Sequence, residues 1–278
     1  MPDKIDFQTL SARVEAISAL PTVPATLRRV SVMLERPRIS LDELGRLIAS
    51  DPALTSKILK MVNSAAYGFP GRISSVSHAT MLLGLNVIKG LLLGVSVFEL
   101  MEKTMIGLWE HSMGCTVAAR LIAQQKGLKE PEEVSVCALL HDIGKTVLML
   151  LYADLYSQAM NEAKEEGIAI YDAESRYFMA THAEIGHLLV QKWHFPRPLC
   201  DAIRYHHQPH LSKEFPMETA IVHVADILVR AKGIGCAGDF IVPAVSPAAW
   251  KMLNLSEGDI LDIFSHLEDG AAAARETT

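Results

Sequence analysis

The chain has 278 residues, half of them hydrophobic and only 6% aromatic, with a formal net charge of −6 and a pI near 6.0. That length can bury a large core, as one big domain or as two helical lobes. The acidic balance and the lack of any Lys/Arg-rich block exclude a general nucleic-acid surface, which needs clustered cations. The four cysteines, Cys115, Cys137, Cys200 and Cys236, are far apart and form no Cys-x-x-Cys pair. This excludes a disulfide framework or a zinc ribbon and predicts reduced core residues of a cytoplasmic protein.

The opening Met1-Pro2-Asp3-Lys4-Ile5-Asp6-Phe7 has no apolar run of the kind a signal peptide carries. From Met81 to Leu100 the sequence is almost wholly apolar, and a bilayer span needs about 20 such residues. Gly84, Gly90, Gly94 and the central Lys89 instead predict two buried helices broken near Gly84, so no membrane partner is expected.

Helical spacing recurs throughout, with almost no strand signal. Leu10, Val14, Ile17 and Leu20 form one stripe that stops at Pro21 and Pro24, and Leu27, Val30, Met33 and Leu34 form the next, before Pro37. Ser40-Leu-Asp-Glu43 reads as a capping box opening a short helix to about Ala49. Asp51-Pro52 reads as an N-cap with proline at the first helical position. It leads through Leu54, Ile58, Leu59 and Val62 to Asn63-Ser64-Ala65-Ala66-Tyr67-Gly68. After Thr104 the helices lengthen. One carries His111 and Arg120, one runs from Pro131 to His141-Asp142, and one from about Asp154 to Glu166. Thr181-His-Ala-Glu184 is a second capping box, opening a helix to Trp193. Pro196 and Pro198 introduce a helix reaching His206-His207, Met217–Lys232 carries Asp226, and Ser256-Glu-Gly-Asp259 starts the last helix. The fold class expected is all-α: an N-terminal helical lobe over 1–100, a second helical lobe over 101–270, and a frayed tail over 271–278.

The chemistry concentrates in the second lobe. His141-Asp142, with Gly144 and Lys145 just beyond, suits a metal site: imidazole supplies a neutral nitrogen and a carboxylate can bridge two ions. The plainer alternative is a helix C-cap, with His141 meeting the last carbonyls. His111, in Leu108-Trp109-Glu110-His111-Ser112-Met113, sits where a histidine is more often a satisfied core residue than a ligand. His182 is favoured over His187, which points to another face five residues on. His206 and His207 are adjacent and diverge by about 100° on a helix, so one of them easily reaches a given ion, whereas two ions could use both. Asp226 sits in Ile221-Val-His223-Val-Ala-Asp226-Ile-Leu-Val229, where a buried carboxylate costs several kcal/mol unless it is paired or metal-bound. His223, one turn earlier, is a candidate partner for it. Lys145 fits either a phosphate oxygen or a solvated surface position.

His111, His141-Asp142 and Asp226 together reproduce the H…HD…D order of the HD superfamily of metal-dependent phosphohydrolases. More specifically, the chain resembles the HDOD family, the HD-related output domain of bacterial signalling proteins. The resemblance rests on Leu20-Pro21-Thr-Val-Pro24, Asp51-Pro52-Ala53-Leu54-Thr55 with Val62-Asn63-Ser64-Ala65, and Ile73-Ser-Ser-Val76 to Leu83-Gly84. It continues through Leu140-His141-Asp142-Ile143-Gly144-Lys145, His182-Ala-Glu184-Ile185-Gly186, and Trp193–Pro196 leading to Ile203-Arg-Tyr-His206-His207. It spans roughly residues 15–235 and implies an all-helical HD lobe preceded by extra helices.

Many HDOD members have lost ligand residues and are regarded as regulatory modules, whereas this chain keeps every position of the superfamily pattern. It also carries His182, His206 and His207 where binuclear relatives place second-metal ligands. It lacks the Gly-Tyr-Pro motif of the cyclic-di-GMP phosphodiesterase branch, since His206-His207 is followed by Gln208-Pro209-His210. The resemblance implies one or two divalent transition-metal ions, Fe or Mn foremost, on this mixed His/carboxylate set. It leaves two readings: a signalling module acting through protein partners, or a phosphohydrolase acting on a nucleotide or other phosphate ester. In the latter, Asp142 bridges the ions and Lys145 offsets phosphoryl charge.

Overall fold

Short polar side chains start several of the early helices, as their sequence demands. The chain is described by a computed structural model over residues 4–17, 25–36, 38–64, 67, 69 and 71–277. Asp6, Ser40, Asp51 and Ser75 accept backbone amides at the starts of α1 (Phe7–Glu15), α3 (Leu41–Ala49), α4 (Pro52–Val62) and α5 (Val76–Thr104). The Ser40–Glu43 capping box closes in both directions. The second helix, α2 (Ala25–Leu34), matches the Val30–Leu34 stripe. The Leu20–Pro24 block, Pro37, Ala65, Ala66 and Gly68 lie outside the described residues.

The apolar stretch after Met81 forms α5, and the helix is broken where glycine allows it. Gly84 has φ 79° and ψ 167°, a conformation closed to residues with a side chain, and the helical axis kinks there. Beyond the break Val87, Ile88, Leu91, Leu92 and Leu93 are fully buried. Lys89 is buried as well, its Nζ donating to the His194 carbonyl at 3.3 Å and lying 5.0 Å from the Phe195 ring centre. Residues 76–104 and 131–151 are both long and apolar enough to cross a membrane, but the fold buries 67% and 83% of their apolar windows. Their apolarity is that of core elements.

The remaining helices are α6 (Leu108–Gln125), α7 (Pro131–Leu140), α8 (Ile143–Leu151), α9 (Ala153–Glu166), α10 (Ile170–Tyr177), α11 (His182–Lys192), α12 (Arg197–Tyr205), α13 (Pro216–Lys232), α14 (Pro247–Leu253) and α15 (Glu257–Thr277). The fold is all-helical, with no sheet among the described residues. Among the described residues one bridge, Ile5 to Phe178, ties the N-terminal segment to the end of α10. Helix α6 lies between α7, α13 and α15; α11 packs on α8 and α12; α2, α3 and α4 pack on α5. At α11 the Glu184 carboxylate takes the Thr181 amide at 2.9 Å. Helices α8, α10 and α14 were not foreseen from the spacing.

Candidate metal centre

Five segments deliver side chains to one point in the core. Helix α6 brings His111, α13 brings Asp226, and the turn between α7 and α8 brings His141 and Asp142. The first residue of α11 is His182, and the turn after α12 supplies His206 and His207. Gly144 explains part of the motif: a Cβ there would stand 1.9 Å from the His182 carbonyl oxygen and 2.8 Å from the Gly186 nitrogen. Only glycine lets the start of α8 approach the start of α11 so closely, and that approach sets His182 beside Asp142.

The donor atoms form two groups joined by one carboxylate. In the first, His111 Nε2 lies 3.0 Å from Asp226 Oδ1, and His141 Nε2 lies 3.7 Å from the same oxygen. Asp142 Oδ2 faces this group, 3.3 Å from His141 Nε2 and 3.8 Å from His111 Nε2. Asp142 Oδ1 faces the other way, 3.3 Å from His182 Nε2 and 3.7 Å from His206 Nε2. His207 Nε2 completes the second group, 2.9 Å from His182 Nε2. His111, His141, Asp142, His182 and His206 have no exposed surface, and Asp226 is 1% exposed. His207 is half-buried and forms the rim.

The surrounding groups orient these donors. His141 Nδ1 and His206 Nδ1 donate to the Ala138 and Ile203 carbonyls, each at 2.7 Å, which turns each Nε2 inward. Glu174 accepts from His182 Nδ1 at 2.8 Å, from the His182 amide at 2.8 Å and from the Tyr156 hydroxyl at 2.8 Å. Arg230 Nε donates to Asp226 Oδ1 at 2.7 Å, and Arg230 also pairs with Asp239. Lys145 Nζ donates to Asp142 Oδ2 at 2.8 Å and to the Ala237 carbonyl at 2.7 Å.

These partners fix the charge states. Burial opposes ionisation of Asp142, but the positive charges of His141 and Lys145 hold its carboxyl well below the usual carboxylate range. Burial opposes ionisation of Asp226 too, and Arg230 with His111 outweighs it. Burial, then the charges of His141 and His182, push His206 well down; burial with His206 and His182 does the same to His207. Against burial, Asp142 draws His141 up to about 9.

The sequence reading changes at several residues. His206 and His207 do not diverge, because α12 ends at Tyr205 and the pair lies in the following turn, with ring centres 4.0 Å apart. Both therefore face the second group. His223 is not the partner of Asp226: it donates from Nδ1 to the His206 carbonyl and accepts the Ser246 amide at Nε2, pinning the turn that carries His206. Lys145 is fully buried, so the solvated alternative is excluded. His187 donates to the Cys200 carbonyl, away from the centre. The cysteines are free thiols, as expected.

Sequence reasoning missed Glu174, Arg230, Asp239 and Cys115. Arg230 was discoverable, four residues after Asp226 on one helix face. Glu174, in the charged run Asp172–Arg176, resembles any solvated position.

The set fits one or two divalent ions. Two donors about 2.1 Å from a shared ion at tetrahedral or square angles stand about 3.0–3.4 Å apart, close to the spacings here. His141 Nε2 and Asp142 Oδ1 are buried with no hydrogen-bond partner, a condition a folded core tolerates when an ion takes up the lone pairs. The ligand atoms fall into two groups, each with all its members within 4.8 Å of one another: His111, Cys115, His141 and Asp226, and Asp142, His182, His206 and His207. A cavity of about 380 Å³ lies elsewhere, at the opposite ends of α7 and α12, lined by Asn86, Glu133, Cys137 and Leu199 among others.

Comparison with known proteins agrees with this architecture. The HDOD domain model matches residues 20–209, a span that holds every ligand position except Asp226. An uncharacterized protein of Treponema pallidum (strain Nichols) is 28% identical over 240 residues, covering 83% of this chain and 47% of that protein. The chain thus spans about half the length of the curated relative it matches. The crystal structure of an HDOD domain protein from Geobacter sulfurreducens is 28% identical with a TM-score of 0.70, covering 98% of this chain and 99% of that one. A provisionally named signal transduction protein from Marinobacter aquaeolei VT8 is 19% identical with a TM-score of 0.70, over 95% of this chain and 60% of that one. A provisionally named phosphohydrolase from Shewanella amazonensis SB2B is 18% identical with a TM-score of 0.66, over 97% and 98%. At such identities these last two share the fold.

Proposed function

The chain belongs to the HDOD domain family, and from that premise we propose that it is a bacterial, cytoplasmic signal-transduction module that keeps an HD-type metal centre and acts through protein partners. The observation that carries this reading is the enclosure of the centre. Every donor except His207 is buried, and Lys145, the cation expected to meet a phosphate, is turned inward onto Asp142. A centre so enclosed holds five segments of the core together, which suits a clamp or sensor better than turnover of a bulky substrate. Apolar side chains on the N-terminal helices supply contact surface: Met81 and Leu82 are 78% and 52% exposed.

His111, His141, Asp142 and Asp226 would hold one ion, and Asp142 with His182, His206 and His207 a second. When bound, such ions supply Lewis acidity toward water and phosphoryl oxygens. The chain's own part is to keep Asp142 and Asp226 ionised, to turn the His141 and His206 Nε2 atoms inward, and to exclude bulk water. Lys145 and Arg230 balance the carboxylate charge.

A metal-dependent phosphohydrolase acting on a nucleotide or other phosphate ester is the second reading. It is favoured by the complete ligand set and by the half-buried His207, beside the Tyr171 ring at 4.6 Å between centres, as a route of access.

Two-hybrid and pull-down measurements with the whole chain against bacterial signalling proteins, alongside Met81→Asp and Leu82→Asp, separate the two. The proposal predicts specific partners lost in these surface variants, with no turnover of nucleotides or phosphodiesters in Mn or Fe. Turnover abolished by Asp142→Ala, with no partner captured, contradicts it.

A further inference from the structure

The metal centre has a donor that the H…HD…D pattern does not contain. Cys115 lies four residues after His111 on α6, so the two side chains share one helix face. Its Sγ is 3.5 Å from His111 Nε2, within the group that includes His141 and Asp226, and it has no exposed surface. An imidazole nitrogen at about 2.05 Å and a thiolate sulfur at about 2.3 Å from one ion, at angles of about 90–120°, stand about 3.1–3.8 Å apart. The observed separation is that of two ligands to a shared ion. Without an ion this contact is a thiol–imidazole hydrogen bond; the His141 and Asp226 donors, within 4.8 Å of the same sulfur, mark it as a candidate ligand.

We infer that Cys115 is a thiolate ligand of the ion assigned to His111, His141, Asp142 and Asp226, and that it biases this half of the centre toward softer divalent ions. The inference rests on the metal-centre reading above and adds a donor of a different chemical class. Thiolate favours zinc, ferrous iron and cobalt over manganese and magnesium, which prefer oxygen. The second group, Asp142, His182, His206 and His207, has only nitrogen and oxygen donors, so the two halves differ in softness. Coordination replaces the S–H bond with a sulfur–metal bond, and the proton leaves to solvent.

Cobalt(II) reports the bond directly. The full-length protein is stripped with chelator and reloaded with cobalt(II), and its near-ultraviolet spectrum and bound cobalt are measured together. The expected result is a sulfur-to-cobalt charge-transfer band in the wild-type protein that disappears in Cys115→Ser while cobalt stays bound. In competition with a chelator, Cys115→Ser should weaken zinc by about tenfold or more and leave manganese nearly unchanged. Bound cobalt with no such band, or a band unaltered by Cys115→Ser, overturns the inference and leaves the metal centre standing. Failure to bind cobalt at all overturns the metal-centre reading itself, and this inference with it. The wild-type spectrum decides the matter without any variant, so a poorly folding Cys115→Ser does not block the test.

Discussion

Lys145 Nζ and Asp142 Oδ2 meet at 2.8 Å with both side chains fully buried, three residues apart across the start of α8. The ammonium therefore neutralises the carboxylate that faces both donor groups. Removing one partner of a buried ion pair leaves the other charge uncompensated, at about 3–5 kcal/mol. Lys145→Met should lose stability of that order in chemical denaturation of the metal-free protein. A change below about 1 kcal/mol would mean that Lys145 is not committed to Asp142 and is free to meet a ligand.

Glu174 holds His182 by both its ring nitrogen and its amide. Groups in this position typically contribute 10–100-fold to metal affinity. Glu174→Gln should lower affinity by about that factor in chelator competition while the helical circular dichroism stays unchanged. Equal affinity in the variant would remove Glu174 from the account of the second ion.

Gly144→Ala places a methyl group against the His182 carbonyl, a backbone atom that cannot rotate away. Overpacking of this kind costs about 1–3 kcal/mol. The strain falls on the contact that sets His182 beside Asp142. Loss of the second ion at lower chelator concentration than wild type is the expected outcome, and intact metal retention would show that α11 shifts without consequence.

Most of the fold was legible because its signals are local. Ser40, Asp51, Pro131 and Gly84 each act within one helical turn, and the structure places helix starts or breaks at all four. The candidate ligands are legible as residue types, for an aspartate in the apolar run around Asp226 needs a reason. Their pairing was not. Glu174 reaches His182 through the packing of α10 against the start of α11, and Cys115 gains meaning only from what faces α6. His206 and His207 converge for a local reason: the helical repeat that separates adjacent side chains stops at Tyr205, just before them.

His187 offers a pH test away from the centre. Burial pushes its pKa below the ordinary histidine value. Below about pH 6.5 the unfolded chain takes up a proton that the folded His187 refuses, so its contribution to stability falls as pH drops toward the folded value. The stability difference between wild type and His187→Gln should narrow from pH 7.5 to pH 5.5. A difference that widens on acidification would reverse the sign.

The central claim is that Asp142 joins two donor groups into one metal centre. Elemental analysis of the purified protein beside Asp142→Ala tests it most directly. One or two transition-metal ions per wild-type chain are expected, with a variant that is folded by circular dichroism yet holds markedly less metal. Wild-type protein that retains no metal after purification and takes up none of iron, manganese, zinc or cobalt would contradict it, as would an Asp142→Ala variant with undiminished metal content.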